Sequence, residues 1–446
     1  MKSDLLTRAC WHLYDLGIAV VTWAILVPAG LASVALGRAA PGELGERLGR
    51  LHLPQRRGPR LVVHAVSVGE VSAAGALVAA LATERPGWTF LLTTGNRQGR
   101  RAAGDLRERS AVIEGVAALP WDRRRAVRRW LGRISPVGVV VVETEIWPNL
   151  FRACSDLDIP LAIVNGRLVP RDVARYRLAR RFFTAVLAVP RWIGAQSERE
   201  REAFVAIGAH RERIGVTGNL KLDAVSSGPP LPMAWRDRLA GPVRPRLLVA
   251  GSTHHPEERL LLRAFTELRR DHPGLRLVLA PRRPRRAARV RRLTASSALV
   301  SATWSRPEEA PEGWDVLVVD EIGPLRALFA LAEIAFVGGS LADRGGHNPL
   351  EPAALGKPIV MGPSSGNFRE IVDGLRRSGG LCSLSTTADP GEALRCTLAR
   401  LLDDAEERNA LGERAAAFCD LGRGVAVRTA RTLLARVWGA PGADRP

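Results

Sequence analysis

Three acidic side chains and one lysine stand just beyond short apolar runs, where an α/β chain can present a reactive group. In "LVVHAVSVGEVSAAGALVAAL", Leu61 to Leu81, an apolar run passes through a small-residue turn and Glu70 falls at the start of a helical pattern. A carboxylate in the first turn of a helix is stabilised by the helix dipole, which is reason enough for its presence. The other reading is a base placed to remove a proton. This stretch alone favours the dipole reading. In "ETEIWPNL", Glu143 and Glu145 follow the run Val137–Val142, and neighbouring carboxylates there are costly to bury without a cation or polar ligand. "TGNLKLD" carries Lys221, one of only three lysines (with Lys2 and Lys357) in a chain whose basic residues are otherwise arginine. An ammonium at that position reads as a requirement rather than an accident.

The second half holds a different chemistry. In "FVGGSLADRGGHNPLEPAALGKPIVMGP", Phe336 to Pro363, a strand ends at Gly338-Gly339, a loop carries Gly345-Gly346, and a helix starts at Asn348-Pro349. Asn is a strong N-cap and Pro suits the first helical position. Paired glycines let backbone N–H groups approach a ligand, and a helix N-terminus attracts phosphate. Glu351, one turn in, is placed to accept hydrogen bonds from ribose hydroxyls. A well-capped tight turn would look the same, but a second glycine turn, Gly362 to Gly366, favours a nucleotide site. "AGSTHHPEE" sets Ser252 and Thr253 before a helix near Pro256, and "LAPRRP" sets Arg282 after a strand, where a guanidinium can pair with phosphate or pack on a base. There is no Walker motif, no GxSxG and no metal-ligand spacing among the eight histidines, so no metal or cofactor is expected. His347 reads as structural or as a contact to a bound sugar.

These groups need strands and turns to position them. Apolar runs at Leu61–Val66, Thr89–Thr93, Val137–Val142, Leu161–Val164 and Trp192–Ala195 alternate with helical segments. After the proline-rich "SSGPPLPM", Ser226 to Met233, the rhythm restarts at Arg246–Ala250, Leu275–Ala280, Val316–Val319, Ile334–Val337 and Pro358–Met361. Alternation of this kind predicts parallel sheets in two Rossmann-like α/β domains, with ligands bound at a cleft beyond the carboxyl ends of the strands. The expected division is residues 1–37, 38–225 and 226–446.

The formal net charge of +20 favours polyanions: nucleic acid, anionic lipid or phosphorylated substrates. An aromatic content of 5% and the lack of any zinc-finger or RNA-binding signature argue against nucleic acid. Five scattered cysteines without a CxxC point to a reducing compartment. Leu16 to Gly37, "LGIAVVTWAILVPAGLASVALG", is uncharged and long enough for a bilayer core of about 30 Å. Arg38, Arg47, Arg50, Arg56, Arg57 and Arg60 follow it, which places the body on the cytoplasmic side of an uncleaved anchor.

Taken together, "HAVSVGE", "ETEIWPNL", "GNLKLD", "GSTHHPEE", "APRRP" and "AFVGGSLADRGGHNPLEPAA" resemble the 3-deoxy-D-manno-octulosonic acid (Kdo) transferases, in order and from about Leu16 to Phe368. The resemblance implies the GT-B architecture with an N-terminal membrane-anchor helix, the acceptor held mainly by the N-terminal domain and the donor by the C-terminal one. It implies Kdo transfer with inversion from CMP-Kdo to a phosphorylated, tetraacylated lipid A precursor at the anionic inner membrane. Glu70 would be the general base, and Glu143 and Lys221 would support the transition state. Pro281 and Arg282, the turn Ile322-Gly323-Pro324, and Asn348, Pro349, Leu350 and Glu351 fall on the CMP-binding segments. The chain departs from the family at Pro324, where an acid is usual, at Asn96 and Gln98, where threonines are common, and at Ser364, where a histidine is common. The rival readings are another GT-B enzyme using a UDP-sugar, and an inactive membrane-anchored binding protein of the same fold.

Overall fold

In the computed structural model, residues 5–36, 41–51, 57–223, 231–241, 244–385 and 389–439 are described. Most of the expected linker, the end of the expected anchor at Gly37, and Arg38 and Arg56 lie outside them. Two compact units are present, Met1–Ala224 with Gly424–Pro446, and Val225–Arg423.

The sheet of the first unit contains β1 (Arg60–His64), β2 (Thr89–Thr94), β3 (Ile113–Ala118), β4 (Gly138–Val142), β5 (Leu161–Gly166), β6 (Trp192–Ala195) and β7 (Ile214–Val216). All pairings are parallel, in the order β3-β2-β1-β4-β5-β6-β7. Val140 and Val142 enter the core beneath helix Val68–Glu84, while Val139 and Val141 face Trp130 and Phe151 on the other side. A strand covered on both faces needs an unbroken apolar run, which is why "GVVVV" does not alternate. The second unit contains β8 (Arg246–Thr253), β9 (Leu275–Pro281), β10 (Ser301–Thr303), β11 (Val316–Val318), β12 (Ile334–Val337), β13 (Ile359–Met361) and β14 (Cys382–Ser383), in the order β10-β11-β9-β8-β12-β13-β14. The ten interior strands are those expected from the apolar runs. The four not expected, β3, β7, β10 and β14, are the four edges.

Strand order reverses between β1 and β4 in the first unit and between β8 and β12 in the second. Connections leave such a pair in opposite directions, so the carboxyl ends of these strands face an opening rather than a covering loop. Register sets His64 beside Val141, so the turns that follow β1 and β4 emerge level with each other.

One sequence expectation needs correction. The second domain was carried to residue 446, but helix Val425–Val437 packs in the first unit, where Val425, Ala430, Leu433 and Val437 are buried with Leu77 and Leu81. Its N-terminus is held by Asp223, whose carboxylate accepts from Gly424 N–H at 2.8 Å and Ala426 N–H at 2.6 Å. Trp438 closes the other end by donating from Nε1 to Val137 O at 2.9 Å. Nothing local to residues 424–439 indicates which sheet they cover. Two of the arginines that follow the apolar N-terminal run, Arg47 and Arg60, are held within the first unit. Arg60 is buried against Glu114, and Arg47 donates to Leu119 O and Gly95 O at 3.1 and 2.7 Å.

The N-terminal segment is helical through Leu5–Val21, a π-helical turn Thr22–Leu26, and Val27–Ala35. Pro28 has no N–H to donate, and the π turn accommodates it by letting Val27 N–H reach Thr22 O, five residues back. Thr7–Ala35 is long and apolar enough to cross a membrane.

Because Leu433 is fully buried under the first sheet, Leu433→Ala should lower stability by about 2–5 kcal/mol. Denaturant unfolding followed by limited proteolysis should show the first unit opening before the second.

Candidate active site

Glu70 is built into the helix start that follows β1. Ser67 is the N-cap; its Oγ accepts from Glu70 N–H at 3.3 Å and donates to Glu70 Oε1 at 2.7 Å. Val66 N–H donates to Glu70 Oε2 at 2.8 Å. The reciprocal Ser–Glu arrangement is a variant of the capping box in which Glu70 reaches back to Val66 N–H, so the structural reading of Glu70 is correct as far as it goes. A carboxylate has about four acceptor sites, however, and these two bonds fill only half of them. Burial, and then the charge of Glu143, push the Glu70 pKa upward, against the two hydrogen bonds and the charge of Lys221.

Glu143 follows β4 with a left-handed backbone, φ 65°, unusual for a residue with a side chain. Its Oε1 lies 2.5 Å from Lys221 Nζ. Lys221 passes over the turn before Glu70: its Cε is 3.5 Å from where a Cβ on Gly69 would stand. The three residues expected from the sequence are thus brought together by the ends of β1 and β4 and the turn after β7. Glu145 joins them, with its pKa pushed up to about 7 by burial first and by Glu70 second.

The sequence reading missed the polar scaffold beneath this group. Asn165, at the end of β5 with φ 54°, donates from Nδ2 to Glu143 Oε1 at 3.4 Å and accepts Leu220 N–H on Oδ1 at 2.9 Å. Gln196, after β6, donates to Asn165 O at 3.1 Å and accepts from Asn219 Nδ2 at 3.1 Å; Asn219 in turn accepts Lys221 N–H at 3.0 Å. Three amides from separate strands therefore orient Glu143 and Lys221. The one local signal was "VNG", an Asn beside Gly at a strand end, a pair suited to positive φ.

In the second unit, Glu257 occupies the place Glu70 occupies in the first: the first turn of the helix after the unit's first strand. It is 0% exposed, and four backbone N–H groups, from His254, Gly339, Ser340 and Leu341, donate to it at 2.8–3.0 Å. This carboxylate pins the glycine loop after β12 to the turn after β8. The glycines serve chain-to-chain approach: a Cβ on Gly338 would lie 2.6 Å from Ser252 O, and one on Gly362 would lie 2.4 Å from Ser340 O. Ser364 fits this loop by accepting Gly345 N–H at 3.1 Å and donating to Asp343 at 3.0 Å.

The expected nucleotide segments occupy neighbouring loops in this unit. Pro281 ends β9, and Arg282, its side chain exposed, donates its backbone N–H to Thr253 O at 3.0 Å. Ile322 and Gly323 form an exposed turn, and Pro324 caps helix Leu325–Leu331, so the proline in place of an acid serves as a helix start. Asn348 Oδ1 accepts Leu350 N–H at 3.1 Å beside Pro349 and opens the short helix Leu350–Ala354. Burial raises the Glu351 pKa, opposed by Arg326 and Asn348. His254 and His347 meet at Nε2···Nε2 2.9 Å with near-parallel rings. Burial lowers His347 to about 4, with Arg282 acting in the same sense. A neutral imidazole pair beside an arginine is one arrangement able to receive an anion.

The family model for 3-deoxy-D-manno-octulosonic-acid transferase (Kdo transferase) matches residues 42–224. A 3-deoxy-D-manno-octulosonic acid transferase of Haemophilus influenzae is 32% identical over 356 residues, covering 79% of this chain and 81% of that protein. The corresponding transferase of Bordetella pertussis is 32% identical over 377 residues, covering 82% and 85%. A solved UDP-N-acetylglucosamine 2-epimerase superposes with a TM-score of 0.59 at 14% identity, covering 87% of this chain and 99% of that one. That likeness bears on fold alone and agrees with two parallel-sheet α/β domains of the GT-B kind. At 32% identity to such relatives over 79% and 82% of its length, the chain belongs to the Kdo transferase family of glycosyltransferases.

Proposed function

We propose that the protein is an inverting glycosyltransferase that moves Kdo from CMP-Kdo to a phosphorylated lipid A precursor at the cytoplasmic face of the inner membrane. The observation that carries this reading is the convergence of Glu70, Glu143 and Lys221 at the strand-order reversal of the first unit. A sugar hydroxyl is a poor nucleophile until its proton is being removed. Glu70, with acceptor capacity left and a raised pKa, takes that proton as the hydroxyl oxygen forms its bond to the anomeric carbon of Kdo. The bond from that carbon to the CMP phosphate oxygen breaks on the opposite face, and CMP departs with the electron pair. Lys221 offsets the negative charge that collects near Glu70 and Glu143, and Asn165 holds Glu143 in place. In the second unit, Pro281, Arg282, the turn Ile322–Pro324 and the segment Asn348–Glu351 receive the nucleotide. Arg282 and backbone N–H groups stabilise the charge that develops on the departing phosphate.

The test is turnover of CMP-Kdo and a tetraacylated, bis-phosphorylated acceptor, read by mass spectrometry. Glu70→Gln should lose about 10²–10⁴-fold in rate while keeping its melting temperature and its stabilisation by CMP over UDP. Near-normal turnover would return Glu70 to a helix cap, and stabilisation by UDP over CMP would point to a different donor.

The pH profile offers a second prediction. A base works ionised, so activity is lost as pH falls through the Glu70 pKa. Glu143 raises that pKa and Lys221 lowers it. Glu143→Gln removes the first influence and ends Lys221's pairing with Glu143, and both effects lower the pKa. The acid limb of kcat/KM should therefore move to lower pH even as the rate falls; a limb that stays put or moves upward would assign it to another group.

A further inference from the structure

The N-terminal helix is docked along one face and bare along the other. Trp11 meets Phe182 edge-on at 4.9 Å, Tyr14 OH donates to Asp122 at 2.7 Å, and Asp15 accepts from Asn149 Nδ2 at 2.8 Å. Thr22 is fully buried, Arg123 lies over the Trp23 ring at 4.9 Å, and Gly30 sits against Leu44 and Trp121. From Trp11 to Gly30 the helix rises about 28 Å, close to the ~30 Å of a bilayer's hydrocarbon core. On the opposite face Leu13, Leu16, Val20, Ile25, Leu31 and Leu36 are each more than half exposed. No residue between Leu16 and Leu36 is charged.

A helix that crossed the membrane in this docked state would carry its partners to bilayer depth. Asp122, Arg123 and Asn149 would lie beside it within the hydrocarbon, where charged groups cost roughly 2.5–3.5 kcal/mol or more each. We propose instead that this helix lies in the plane of an anionic bilayer surface, with its bare row in the acyl boundary and its docked row on the protein. This rests on the membrane attachment in the reading above and specifies its geometry. Charge complementarity supports lipid as the occupant. Beside the start of the helix, Arg8, Trp11, His12, Asp15, Arg124 and Arg152 line a surface hollow of about 320 Å³; Arg152 faces Asp15 at 3.9 Å, and Arg124 and Arg128 share Asp156 at 3.5 and 3.7 Å, so arginine still outnumbers aspartate. A cationic rim next to an apolar row suits lipid phosphates above acyl chains. A second copy of this chain fits less well, because pairing two such faces would bring the two arginine rims together in a protein of net charge +20.

The experiment uses the full chain with its native cysteines replaced and a single spin label at Leu16→Cys, Val20→Cys or Leu31→Cys. Each is bound to vesicles of phosphatidylethanolamine and phosphatidylglycerol, and depth is read from collisions with oxygen and a nickel chelate. The expected result is three similar depths, roughly 5–10 Å below the headgroups. Depths that progress through the bilayer midplane from position 16 to position 31 would overturn the in-plane geometry and leave membrane attachment standing. Labels that stay in water would overturn both, and labels shielded without vesicles only at high protein concentration would assign the face to a second copy. A check that needs no cysteine replacement is protease treatment of spheroplasts carrying the N-terminally tagged chain. Tag and body should both survive until lysis, whereas loss of either before lysis would mean that the helix spans.

Discussion

A carboxylate in the first helical turn after the first strand is the constraint on which both units are built. In a parallel sheet covered on both faces, polar groups are confined to the strand ends, where the chain leaves the ladder. The turns after β1 and β8 bring unpaired N–H groups to that rim, and a glutamate from the following helix gathers them. In the second unit the task consumes the side chain: Glu257 accepts four backbone N–H groups and is sealed from solvent. In the first unit Glu70 accepts one backbone N–H and one hydroxyl, and remains 9% exposed. The same structural device thus leaves acceptor capacity unfilled at Glu70 and none at Glu257.

Electrostatics explains why lysine stands among so many arginines. Burial and then Glu143 raise the Glu70 pKa, and burial and then Glu70 push Glu145 up to about 7. A compact ammonium reaches Glu143 close beside Gly69; a planar guanidinium is broader and would be harder to seat there. The amides of Asn165, Gln196 and Asn219 fix that lysine without adding charge. In the second unit the balance is reversed: burial first, and then the charges of Arg286, Arg344, Arg282 and Arg283, lower the His254 pKa. One unit is arranged around carboxylates and the other around cations.

The short segment "GNLKLD" connects these features. Its asparagine and lysine complete the carboxylate group, while Asp223 caps the helix that returns from the far end of the chain to cover the first sheet. The site and the core of the first unit are therefore fastened by the same turn. The N-terminal helix is fastened to that unit in turn by Asp122, which accepts from Tyr14 and from the backbone of Asn149 and Leu150.

The interior strands were legible in the sequence because strands buried on both faces must be continuously apolar, and so were the turns that carry Glu70, Glu143 and Lys221. The edge strands β3, β7, β10 and β14 were not, because an edge is partly exposed and free of that demand: β3 alternates in burial over its first four residues, and "SAT" and "CS" look like loop. The motif residues could be found because their types are unusual at strand ends, whereas Asn165, Gln196 and Asn219 are ordinary polar residues whose bonds join segments far apart in sequence. Arg47 and Arg60 looked like surface charge until Gly95, Leu119 and Glu114 were placed beside them. The sequence by itself determined the interior layers and the turns that carry the candidate site residues, because both depend on local runs and residue type. Only the tertiary structure decided which sheet the last helix covers, which face of the first helix is bare and which carboxylate keeps acceptor capacity, because each depends on groups brought together from distant parts of the chain.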